Sequence, residues 1–104
     1  MKLYGLKNCD TCKKAAKALG VEVTDVRKEP LSRERLQEFW NEFGDALLNT
    51  RSTTWRGLFE AERSEDPIEL MQKHPALMKR PVIEAKGTLY LGWKNDVQEA
   101  LRIS

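Results

Sequence analysis

A chain of 104 residues, 40% hydrophobic and 33% charged, has room for one modest core and the make-up of an ordinary globular protein. No apolar run approaches the roughly 20 residues that span a bilayer, and the start, MKLYGLKNCD, lacks the features of a secretory signal. The expected compartment is therefore the cytoplasm, with no membrane partner, and a net charge of +2 makes no case for nucleic acid.

Residues 2–6, KLYGL, form a short apolar run between turn formers and read as a first strand. Asn8, Asp10 and Thr11 can cap a helix in which Cys12, Ala15, Ala16 and Leu19 fall at i, i+3, i+4 and i+7. Gly20 follows as its left-handed terminator. Residues 21–26, VEVTDV, alternate as a strand does. Ser32 caps a second helix with a stripe of Leu36, Phe39, Trp40 and Phe43, and Leu31 can staple onto Leu36. DALLNT and TTWRGLFEAE read as shorter helical pieces. Asp66-Pro67-Ile68-Glu69 opens a further helix, which Pro75 stops. Residues 81–93 read as a hairpin turning at Lys86-Gly87, and Asn95 with Gln98 opens a last helix carrying Val97, Ala100 and Leu101.

The order is β-α-β, a helical middle, then β-β-α. This is the order of a thioredoxin-like α/β fold, with residues 1–104 as one domain and about 32–78 as a helical insertion. In such a fold a C-x-x-C lies between the first strand and helix, and a cis-proline opens the hairpin. Cys9 and Cys12 stand at the first place and Pro81 at the second. Only an X-Pro bond becomes cis at modest cost, so Arg80-Pro81 is the candidate.

Cys9 and Cys12 are the only cysteines. They can be a redox centre, half of a zinc site, or two small buried neighbours. Zinc needs four ligands, and His74, the one histidine, sits at a helix end beside proline, so no metal is expected. The redox reading draws on the helix N-terminus, which stabilises a thiolate at Cys9, and on Lys7 and Lys13 nearby. These are two of five lysines in residues 1–20, against Asp10 alone. Residues 58–70 reverse the balance, with five acids against Arg63. Cys12, one turn beyond Cys9, is placed to resolve a mixed disulfide.

YGLKNCDTCKKA, LLNTRSTTWR and KRPVI, in that order, resemble the ArsC/Spx/YffB family of arsenate reductase-like proteins over nearly the whole chain. The resemblance implies a thioredoxin-like fold and glutathione- or glutaredoxin-linked thiol chemistry, with no bound cofactor. It implies that Cys9 is the catalytic cysteine and that Arg80, before Pro81, binds an anionic substrate. Two further arginines of the arsenate reductases fall on Asn49 and Trp93 here, with Arg51 two residues from the first. The expectation is a thiol–disulfide reductase with Cys9 as nucleophile and Cys12 as resolver. Arg80 and Arg51 would hold a glutathione carboxylate, and backbone beside Pro81, at Arg80 and Val82, would pair with the extended peptide. The resemblance equally admits an Spx-like redox regulator that binds RNA polymerase, or an arsenate reductase.

Overall fold

The computed structural model describes residues 1–101, which form two compact units: Met1–Glu29 with the chain from Arg80 onward, and Pro30–Lys79.

The first unit is a four-stranded sheet with two helices. Strand β1 (Lys2–Gly5) leads into helix α1 (Asp10–Leu19), which returns to β2 (Val23–Asp25). β1 pairs with β2 in parallel, Leu3 opposite Val23 and Gly5 opposite Asp25. After the insertion, β3 (Val82–Ala85) pairs antiparallel with β1 and with β4 (Thr88–Leu91), giving the order β2-β1-β3-β4. Such a sheet, with the helical segment inserted between β2 and β3, is the thioredoxin-like arrangement the element order implies.

Local chemistry accounts for most of the boundaries. α1 ends at Gly20, which takes the left-handed conformation (φ 69°) and donates its N–H to the Ala16 and Lys17 carbonyls. The hairpin turns on Lys86 and Gly87, both at positive φ, as a two-residue turn matched to strand twist requires. The core lies on the sheet face covered by α1 and by the last described helix. It joins Leu3 and Ile83 of the central strands to Cys12, Ala15 and Ala16 of α1 and to Val97 and Leu101. Cys9, Val23 and Trp93 pack around its margin.

The inserted unit holds helix α2 (Arg33–Phe43), the short helices α3 (Thr53–Arg56) and α4 (Glu60–Arg63), and α5 (Pro67–Lys73). Two single-turn 3-10 pieces, Gly44–Leu47 and Pro75–Leu77, complete it. Ser32 Oγ accepts the Arg35 N–H to cap α2, and an Asp66 carboxylate oxygen accepts the Ile68 N–H to cap α5. Arg33 ties these two helix starts together with a 2.8 Å bond to Asp66. Leu36 and Phe39 are buried as the stripe anticipates, whereas Trp40 and Phe43 are half-buried. DALLNT is helical only as far as Leu47, because Leu48 turns extended to bridge Met78. TTWRGLFEAE divides into two helices of four residues each, α3 and α4.

The last described helix, α6 (Asn95–Leu101), closes the first unit. Its Gln98 side chain donates to the Trp93 carbonyl at 2.8 Å, binding the helix to the loop before it. Among the described residues no helix is long and apolar enough to cross a membrane.

Candidate active site

The link between β1 and α1 is a tight turn closed by the Cys9 N–H on the Leu6 carbonyl at 3.1 Å. Cys9 then stands at the N-cap of α1 with extended backbone (φ −92°, ψ 118°), its carbonyl accepting the Lys13 N–H. A residue in that position faces the unsatisfied N–H groups of the first helical turn. The neutral thiol makes no capping hydrogen bond, but its anion is served by the Cys12 N–H.

Burial pushes the Cys9 thiol up. The Cys12 backbone N–H, the Cys12 side chain and the Arg80 guanidinium outweigh it and hold the thiol below its ordinary value. Cys12 is different. It is fully buried, and burial raises its thiol, a Leu6 backbone contact lowers it, and the Cys9 sulfur raises it again, to about 11. Two free thiols in contact are thus driven apart in acidity. One is half-buried, with its thiol held below the ordinary value; the other is buried, with its thiol raised.

Two residues that sequence reasoning missed make this geometry. Gly5, at the end of β1, leaves the space that Cys12 fills: a Cβ there would collide with Cys12 Sγ and lie 3.2 Å from its Cβ. A glycine inside an apolar strand run is the signal for such a close approach. The other is Asp25, opposite Gly5, whose Oδ2 accepts the Lys7 N–H at 3.1 Å and whose Oδ1 accepts the Arg27 N–H at 2.9 Å. Its signal was an acid two residues after core-facing Val23, on the same strand face.

The structure brings Cys9, Cys12 and Arg80 together, and Arg80 precedes Pro81 through a cis bond. The cation on Cys9 is Arg80; Lys7 and Lys13, nearest in sequence, are exposed. Val82 is an internal rung of the sheet, paired with Tyr4 on one side and Leu91 on the other, and the Pro81 carbonyl takes the Gly92 N–H. The sheet thus uses the Val82 backbone that the sequence reading assigned to a peptide.

Arg51 belongs to the inserted unit, where it is exposed and donates its N–H to Asn49 Oδ1 at 3.2 Å. The Asn49 side chain therefore shapes the turn that leads to the Ser52 cap of α3. Trp93 packs against the core margin. His74 ends α5 and is half-buried. Among the described residues no three His, Cys, Asp or Glu side chains gather as metal ligands.

The ArsC family model matches residues 4–101. Similar solved structures include the YffB protein, 36% identical with a TM-score of 0.82, over 95% of this chain and 96% of that one. Another is an arsenate reductase (ArsC)-related protein from Brucella melitensis, 40% identical with a TM-score of 0.70, over 100% and 97%. The global transcriptional regulator Spx of Listeria innocua is 30% identical over 90% of this chain and 80% of its own. The family match runs from β1 through the cysteine turn, the inserted unit and the Arg80–Pro81 junction to the end of α6, so the chain belongs to the ArsC family and has a thiol oxidoreductase-type fold.

Proposed function

We infer that this protein is a thiol–disulfide oxidoreductase acting on glutathione mixed disulfides or a similar small anionic thiol. The observation that carries the reading is the placement of two touching thiols, Cys9 at the head of α1 and Cys12 buried behind it, beside one arginine. The Cys9 thiolate attacks a sulfur of the incoming disulfide, forms a new S–S bond and expels a thiolate, which takes up a proton. Once Cys9 is in a mixed disulfide, the anion that raised the Cys12 thiol is gone. Cys12 can then lose its proton, attack the Cys9 sulfur and release glutathione, leaving a Cys9–Cys12 disulfide. Two glutathione molecules reduce that disulfide and become glutathione disulfide. Arg80 supplies the fixed positive charge for the thiolate and for a glutathione carboxylate. Glutaredoxin is a candidate electron donor.

Arsenate is the weaker substrate. An oxyanion must approach a thiolate, and here Asn49 and Trp93 stand where the arsenate reductases carry arginines. Each charge-assisted donor lost forfeits on the order of 1.5–3 kcal/mol. Two such losses weaken capture by roughly a hundred-fold or more. Asn49→Arg would also remove the acceptor of the Arg51 N–H, so arginine cannot simply be restored at that position.

Likeness to Spx supports a second reading, a redox-controlled binder of RNA polymerase. Parallel assays with glutathione mixed disulfides, protein disulfides and arsenate, each with glutathione or thioredoxin as donor, separate these readings. Turnover is expected with the mixed disulfide and at least about a hundred-fold less capture of arsenate. Redox-dependent polymerase binding without turnover of any thiol substrate would replace the enzyme reading with the regulatory one.

A further inference from the structure

Asp25, the last residue of β2, is 8% exposed, and both oxygens of its carboxylate accept backbone N–H groups. Its bond to Lys7 crosses eighteen residues of sequence. Lys7 is the second residue of the Leu6–Cys9 turn, so it lies between the two sites that matter. Leu6 presents its backbone to the Cys12 sulfur on one side, and Cys9 closes the turn on the other. The Val26 N–H on the Gly5 carbonyl, at 2.9 Å, holds the end of β2 beside that turn.

The geometry points to Asp25 as a positioning residue that clamps the Lys7 N–H and so fixes the turn presenting Cys9 to the Cys12 N–H and Arg80. The inference rests on Cys9 being the nucleophile, but its readout is the thiol itself, not turnover. The groups bearing on the carboxylate are the backbone N–H groups of Lys7, Arg27 and Lys28 and the Lys28 ammonium, which together hold it below the ordinary carboxylate range. Those on Cys9 are Cys12 and Arg80.

The clamp makes a prediction opposite in sign to simple electrostatics. Removing a nearby anion alone eases thiolate formation and lowers the Cys9 thiol. Releasing the turn withdraws the Cys12 N–H and Arg80 and raises it. In Asp25→Ala the pH midpoint of Cys9 alkylation, read by mass spectrometry, is expected to rise by about one unit. Asp25→Asn removes the charge but keeps one acceptor oxygen, so its midpoint should lie below that of Asp25→Ala. A midpoint that stays or falls in the folded Ala variant overturns the clamp.

The unaltered protein gives a second readout that needs no variant to fold. The Lys7 amide resonance should follow the Asp25 titration, with its transition below the ordinary carboxylate range; an unresponsive Lys7 amide also overturns the clamp. An unmoved midpoint with turnover intact removes the clamp and leaves the oxidoreductase. A raised midpoint in a protein that turns over no thiol substrate removes the oxidoreductase and leaves the clamp.

Discussion

Cys9→Ser is expected to abolish both the glutathione adduct and turnover, a loss of about a thousand-fold or more. A serine hydroxyl cannot be ionised by the few donors gathered here: one N–H, one thiol and one guanidinium shift a thiol below its ordinary value, but a hydroxyl starts far higher. Cys12→Ser should behave differently. Its hydroxyl can still donate to the Cys9 thiolate, so the first attack survives, but it cannot attack the mixed disulfide. The variant should accumulate one glutathione on Cys9, visible by intact-mass measurement, while multiple turnover slows. Residual turnover in Cys9→Ser near the parent level would place the nucleophile elsewhere. Rapid multiple turnover in Cys12→Ser without adduct would remove Cys12 as resolver.

Gly5→Ala should be destabilising although it adds one methyl group at the end of a strand. The new Cβ meets Cys12 Sγ and the Cys12 Cβ at 3.2 Å, and Cys12 cannot retreat because it is itself fully buried in the core. Overpacking of this kind costs about 1–3 kcal/mol, readable as a lowered urea midpoint with unchanged slope. Because the strain falls on Cys12, the proposed resolver, the variant should also build up the Cys9 mixed disulfide. The clash has a specific relief: Gly5→Ala combined with Cys12→Ala should be more stable than Gly5→Ala alone, since the sulfur is gone. A Gly5→Ala protein within about 0.5 kcal/mol of the parent would show that Cys12 is not held against β1 as described.

What the sequence disclosed was what neighbours in sequence decide. Gly20, Ser32 and Asp66 mark helix ends because their effects reach no further than one turn, and Lys86-Gly87 marks the hairpin because its backbone must be left-handed. Cys9 at the head of α1 was legible for the same reason. The environment of that cysteine was not. Local reading assigned its positive charge to Lys7 and Lys13, two and four residues away, whereas the structure supplies Arg80 from the far end of the insertion. Only the family resemblance pointed to Arg80, and it did so as a substrate ligand. Asp25 and Gly5 were missed because each acts between elements: Asp25 from β2 on the turn before α1, through a bond eighteen residues long in sequence, and Gly5 from β1 on Cys12 of α1, by having no side chain.

Contact between the two cysteines and Arg80 sets their acidities apart, with the Cys9 thiol lowered and the buried Cys12 thiol raised. Alkylation of the reduced protein across a pH series, with each cysteine quantified by mass spectrometry, tests it directly. Alkylation follows the thiolate, so a lowered thiol reacts at lower pH and a raised one at higher pH. Cys9 should label with a midpoint below the ordinary thiol value of 9.0. Cys12 should resist until the pH nears about 11. Labelling of Cys12 ahead of Cys9 at or below neutral pH would contradict the account, because the burial and the donors assigned to the two sulfurs would then be reversed.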